Sequence, residues 1–96
     1  MTEWSFLTKH ARALLFVARH PDARVRDIAA GLDVTERTVQ GIVRDLADAG
    51  YVIKEREGRR NRYHVQDDLP LREPVGRNAA IGDLLRLLGD VERRPR

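Results

Sequence analysis

Cysteine is absent from this 96-residue chain. Disulfides, thiolate metal sites and thiol chemistry are therefore excluded together. Long apolar runs are missing as well. The longest membrane candidate, Ala13 to Ala18, has six residues, where a span needs roughly 20. Nothing resembles a signal-peptide hydrophobic core followed by a cleavage site, so an intracellular protein, cytoplasmic and nucleoid-associated, is expected. There is no internal repeat and no low-complexity tract beyond the short polar tail Glu92-Arg93-Arg94-Pro95-Arg96. A Gly-rich phosphate loop, a His-Glu metalloprotease pattern and a nucleophile with its base are all lacking. The reading is not an enzyme, with no catalytic residues. His10, His20 and His64 are scattered and without companion ligands, so no metal and no cofactor are expected.

What the chain does contain fits one domain across residues 1–96, with 42% hydrophobic content. A chain of this size buries only about 60% of its unfolded surface, so its stability should be modest and a dimer would cover leftover apolar helix faces. Lys and Arg number 18 against 15 Asp and Glu, a formal charge of +3. That mild excess suits nucleic acid or an acidic surface without proving either.

Apolar spacing gives the order of elements. A first helix is expected from the cap Thr8 to His20, stopped by Pro21, with Leu7, Ala11, Leu14, Leu15 and Ala18 on its stripe. Pro21-Asp22-Ala23 reads as a turn, and Val25 as a very short strand. A short helix follows on Ile28 and Leu32, with Gly31 letting the chain leave it at positive φ. Leu32-Asp33-Val34 makes the turn, Val34 serving as a hydrophobic staple. Thr35 is the clearest cap in the chain. Behind it, Val39, Ile42, Val43, Leu46 and Ala47 give a continuous stripe that Gly50 ends. The period then changes to extended: Tyr51-Val52-Ile53 to Arg56, and back through Arg62-Tyr63-His64-Val65, with Tyr63 and Val65 inward. Glu57-Gly58-Arg59-Arg60-Asn61 is expected as the hairpin tip. After Pro70 and Pro74 a last helix is expected over about 78–88, on Ile81, Leu84, Leu85 and Leu88, with Gly89 as its cap. This α+β order, mostly α, reads helix, short strand, helix, turn, helix, hairpin, helix.

From Val25 to Val65, the run RDIAAGLDVTERTVQGIVRDLADAGYVIKEREGRRNRYHV resembles winged helix-turn-helix transcriptional regulators of the MarR/ArsR-like type. The resemblance implies that Asp27-Ile28-Ala29 opens a support helix and that Thr35 caps a recognition helix. Leu46, Gly50 and Tyr51 would mark the passage into a two-stranded wing. The C-terminal helix, about 78–90, is then an addition that contributes to dimerisation.

A physical case for DNA stands beside the resemblance. Major-groove reading needs a rigid helix anchored on one face with side chains reaching base edges on the other. Opposite or flanking the stripe lie Arg37, Thr38, Gln40, Gly41 and Arg44. Arg pairs bidentately with guanine, Gln with adenine, and Thr offers a hydroxyl or a methyl. Gly41 either admits the DNA backbone closely or reduces base contacts, and the sequence leaves both open. Within Thr35 to Gly50, Arg37 and Arg44 are outnumbered by Glu36, Asp45 and Asp48. The wing compensates, since Lys54, Arg56, Arg59, Arg60 and Arg62 face only Glu55 and Glu57. The DNA-binding residues expected are Thr35, Arg37, Thr38, Gln40, Gly41, Arg44, Arg59, Arg60, Asn61 and Arg62, with Asn61 also shaping the turn. Thr35 doubles as the helix cap.

The function that follows is sequence-selective binding of double-stranded DNA by a homodimer, acting on transcription. Repression is expected because occupancy alone represses without an extra domain. The alternative is an architectural or protein-interaction winged-helix module with little sequence choice. A small-molecule effector between the first and last helices would have no separate sensor domain.

Overall fold

The computed structural model describes residues 4–73, 75 and 79–93, without the side chains beyond residue 88. Its elements are α1 (Lys9–Arg19), α2 (Val25–Leu32), α3 (Glu36–Asp48), β1 (Val52–Glu57), β2 (Arg60–Val65) and α4 (Ile81–Arg93). This is the expected mostly helical α+β architecture, a winged helix-turn-helix with a two-stranded wing and an additional C-terminal helix.

α1 begins where Thr8 Oγ1 accepts a hydrogen bond from the Ala11 amide at 3.1 Å, and it ends at His20 before Pro21. Its spacing turns Ala13, Leu14 and Val17 inward. Against them pack Ile28, Ala29 and Leu32 of α2 and Val39, Ile42 and Leu46 of α3. Tyr51, Val52 and Tyr63 close the core from the wing, and Ile81 closes it from α4.

Val25 does not form the expected strand; it is the first residue of α2. The cause is local. The Asp27 carboxylate accepts from the Arg24 amide at 3.0 Å, which satisfies an otherwise orphaned donor and starts the helix there. The strand-like contact lies upstream, where the Tyr63 amide donates to the Pro21 carbonyl at 3.0 Å. Nor does Gly31 supply the positive φ. Asp33 does, at φ 58°, a conformation that short polar side chains tolerate. Gly31 stays helical and makes room for an aromatic ring, since a Cβ there would lie 2.4 Å from Phe16 Cε2.

α3 ends as its sequence suggests. Gly50, at φ 88°, sends its amide to the Ala47 carbonyl, and the Tyr51 amide reaches back to Leu46. These paired bonds are a Schellman motif, and the apolar contact that accompanies it falls between two buried residues, Leu46 and Tyr51. The wing pairs further than expected. Glu57 lies opposite Arg60, so the turn is the two residues Gly58-Arg59 rather than a five-residue tip. Gly58 at φ 62° accounts for the difference. Glycine at the first central position permits the primed turn whose twist matches the strands, so Arg60 and Asn61 join β2.

After the wing the chain returns to α4. The Tyr51 hydroxyl donates to the Pro70 carbonyl, and the Ile81 and Gly82 amides donate to Leu69 and Asp67 at 2.7 and 2.8 Å. Asp83 accepts from the Ala80 amide at 3.0 Å and from Arg86 at 2.6 Å. These bonds hold its carboxyl below the usual range and set the helix start at Ile81. The expected start at Asn78 lies outside the described residues. The helix also passes through Gly89, the expected cap, to Arg93; one interior glycine weakens a helix by about 1 kcal/mol without ending it.

Gly82 is buried, and a Cβ there would lie 2.7 Å from the Asp67 carbonyl oxygen. Gly82→Ala should therefore cost about 1–3 kcal/mol as overpacking against backbone. A lowered urea midpoint, followed by far-UV circular dichroism, checks this.

Candidate nucleic-acid interface

One helix face and one hairpin form the candidate site. Arg37, Gly41, Arg44 and Asp48 recur at spacings of four, three and four residues, which places them on one line of a helix with 3.6 residues per turn. The opposite face is held by Val39, Ile42 and Leu46, at 0%, 4% and 8% exposure. Arg37, Gln40 and Arg44 are all exposed. Gly41 lies at the centre of their face, with nothing within 4 Å of the position its Cβ would occupy.

Thr35 and Thr38 are committed to the helix end. Thr35 Oγ1 accepts from the Thr38 amide at 3.1 Å and donates to the Thr38 hydroxyl at 2.9 Å. Their geometry accounts for capping; any DNA contact would come in addition to it. Asp45, one of the acidic residues that dilute α3, is turned away to His10 of α1, Nε2 to Oδ2 at 2.7 Å.

Between α3 and the wing lies a cleft of about 440 Å³ whose polar lining is Gln40, Arg44, Asp48, Lys54 and Asn61. The structure thus brings together Gln40, Arg44 and Asn61, which the sequence nominated from different segments. It adds Lys54 and Asp48. Tyr63 forms part of the cleft floor and is 3% exposed; burial pushes its phenol above the ordinary range, so it stays neutral. Arg59 occupies the exposed turn and Arg60 the start of β2. Arg62 is placed differently, with Nη1 2.9 Å from Asp22 Oδ1 in the turn between α1 and α2. A second hollow, of about 380 Å³, separates α1, β2 and α4 and is lined in part by Leu15, Arg19, His64, Leu85 and Arg86.

Lys54 was findable from sequence. Once Tyr63 is taken as inward, strand alternation puts Asn61 on the same side, and antiparallel register adds Lys54 and Arg56. The register itself required the turn to be read as two residues.

An anchored helix with an exposed basic face, followed by a hairpin beside it, defines the winged-helix class of regulator. The comparisons place the chain within that class. The MarR family profile matches residues 6–62, more than half of the chain, and the chain belongs to that family. Its winged-helix architecture is that of the MarR type. No curated protein matches the sequence. Among solved structures, the chain is similar to MepR, a transcription regulator of the Staphylococcus aureus multidrug efflux pump MepA. The TM-score is 0.57 at 16% identity, covering 90% of this chain and 60% of MepR. It is also similar to AF1382 from Archaeoglobus fulgidus, with a TM-score of 0.53 at 17% identity, covering 94% of both chains. At these identities the likeness is one of fold.

Open space at Gly41 gives a direct test of what the glycine costs. Gly41→Ala should raise the unfolding free energy by about 1 kcal/mol, the helix-propensity difference alone. Urea unfolding of the two proteins measures it.

Proposed function

We propose that this protein binds double-stranded DNA as a homodimer and regulates transcription by occupying its sites, α3 reading the major groove and the wing holding the flanking backbone. The observation that carries the reading is the exposed line Arg37–Gly41–Arg44 on a helix whose other face is locked in the core. Gln40 flanks that line, and Arg59 is exposed at the wing turn. Occupancy of a site is by itself enough to repress, which makes repression the expected direction, and among the described residues no helix is long and apolar enough to cross a membrane. A cytoplasmic, nucleoid-associated place follows from that use.

Support for the homodimer comes from the two ends of the chain. Trp4 and Phe6 stack edge to face at 4.8 Å while 73% and 90% exposed, and Leu87 of α4 is 62% exposed. A second copy would cover such residues, and two winged units would then address two half-sites related by two-fold symmetry. Within this reading residues 1–96 act as one winged-helix unit, with α4 contributing to the contact between copies.

Selection from genomic DNA followed by footprinting tests the function. A repeatable, symmetric protected motif is the expected result. Equal binding to unrelated duplexes would indicate the architectural alternative, and no binding at low salt would sink both. Sedimentation across a concentration series tests the dimer, which a constant monomer mass would defeat.

A further inference from the structure

The wing sorts its charges by face. Residues 54–57 read Lys-Glu-Arg-Glu, and in a strand alternate residues point to opposite sides. Register then pairs Lys54 with Tyr63 and Arg56 with Asn61 on one side. It pairs Glu55 with Arg62 and Glu57 with Arg60 on the other. Burial of Val52 and Tyr63 fixes the first side as the one turned toward the core and α3. Both cations of β1 therefore lie on the α3 side, and both of its carboxylates lie on the outer side.

The outer side is partly neutralised within the protein, at Arg62 and at His64. Arg62 is bound to Asp22 at 2.9 Å, His64 to Glu55 at 2.6 Å, and Arg60 stands across from Glu57. On the α3 side, Lys54 has no ion-pair partner among the described residues. Among the described residues, the Arg56 side chain donates only to the Gly58 carbonyl, at 3.1 Å. Lys54 and Arg44 line the same cleft, together with Asn61 and the carboxylate of Asp48.

We propose that the wing grips DNA through its α3 side only. Lys54, with Arg56 farther out, takes the phosphodiester backbone, whereas Arg60 and Arg62, on the outer side, do not meet the DNA. The inference rests on the DNA-binding function proposed above. Its geometry is simple: a helix in the major groove and a hairpin in the next minor groove straddle one sugar-phosphate strand. That strand runs over the cleft between them, where ammonium, guanidinium and amide donors converge. Asp48 opposes the phosphates there and holds affinity down.

The test is the salt dependence of binding to a fluorescein-labelled duplex of arbitrary sequence, read by anisotropy, with folding verified by circular dichroism. Lys54→Ala with Arg56→Ala should lower the slope of log K against log salt by about 1.8, two phosphates at about 0.9 each. Raising salt from about 50 to about 200 mM would then weaken the wild type about tenfold more than this variant. Arg60→Gln with Arg62→Gln should leave the slope unchanged, and Asp48→Asn should bind more tightly. Equal slope losses in the two double variants, or a larger loss in the outer pair, would overturn the assignment of the wing while leaving DNA binding intact. A wild type that binds no duplex at low salt would instead overturn the function itself, and this inference with it.

Discussion

Ile28→Ala is expected to lower the unfolding free energy by about 2–5 kcal/mol, a large part of the 5–15 or so that a domain of this kind possesses. Ile28 is 0% exposed and lies in the same cluster as Val39, also at 0%, and Val17 of α1, at 2%. Removing its side chain loses the transfer free energy of the buried carbons and leaves a cavity where three helices meet. Backbone relaxation there is restrained from several sides. Asp27 caps the turn before it, and the Val34 amide is bonded to the Ala29 carbonyl after it. Urea unfolding followed by far-UV circular dichroism should show the shift as a lower midpoint with an unchanged slope. Ile53→Ala is the matched control, because that side chain is 45% exposed and should change stability by less than about 1 kcal/mol. A comparable loss at both positions would contradict the three-helix core as the source of stability.

How far the sequence disclosed this fold depends on the reach of the signal at each point. Thr8 and Thr35 are caps whose partners lie three residues on, and Gly50 is a stop whose bonds close within five residues, so each was legible locally. Val25 and Gly31 were not. Val25 became helical because Asp27 captured the Arg24 amide, an interaction that competes with strand propensity. Gly31 is explained by Phe16 on another helix, and no window around residue 31 contains that information. The end of α4 was misplaced for a different reason: a glycine penalises a helix without terminating it when tertiary packing favours its continuation.

The geometry of the candidate site was legible in parts. Composition drew attention to the wing, where basic residues outnumber acidic ones. Counting charges could not separate Lys54 from Arg62, because their difference is one of face. Face depends on register, and register depended on a turn of two residues rather than five. The pairing of Arg62 with Asp22 spans 40 residues of chain, beyond any local pattern. The helix, by contrast, was read well. Periodicity alone put Arg37, Gln40 and Arg44 opposite the buried stripe, and their exposure follows from it.

The second large effect is expected on that helix face. Replacing Arg37 and Arg44 together by alanine should abolish the preference for the selected motif while weaker, general binding persists. Each arginine that pairs bidentately with guanine contributes about 1–3 kcal/mol of discrimination. Losing two should therefore shrink the ratio of specific to nonspecific affinity by about thirtyfold or more. Stability should hardly change, because both side chains are exposed and neither has an ion-pair partner among the described residues. Competition between the selected duplex and a scrambled one, at fixed salt, measures the ratio directly. An equal fall in affinity for both duplexes would mean that the arginines only meet phosphates, and that Gly41 has left α3 with too few side chains to read bases. A ratio that collapses while binding to the scrambled duplex survives would place sequence reading on α3. The remaining grip would then belong to the wing, through Lys54 and Arg56.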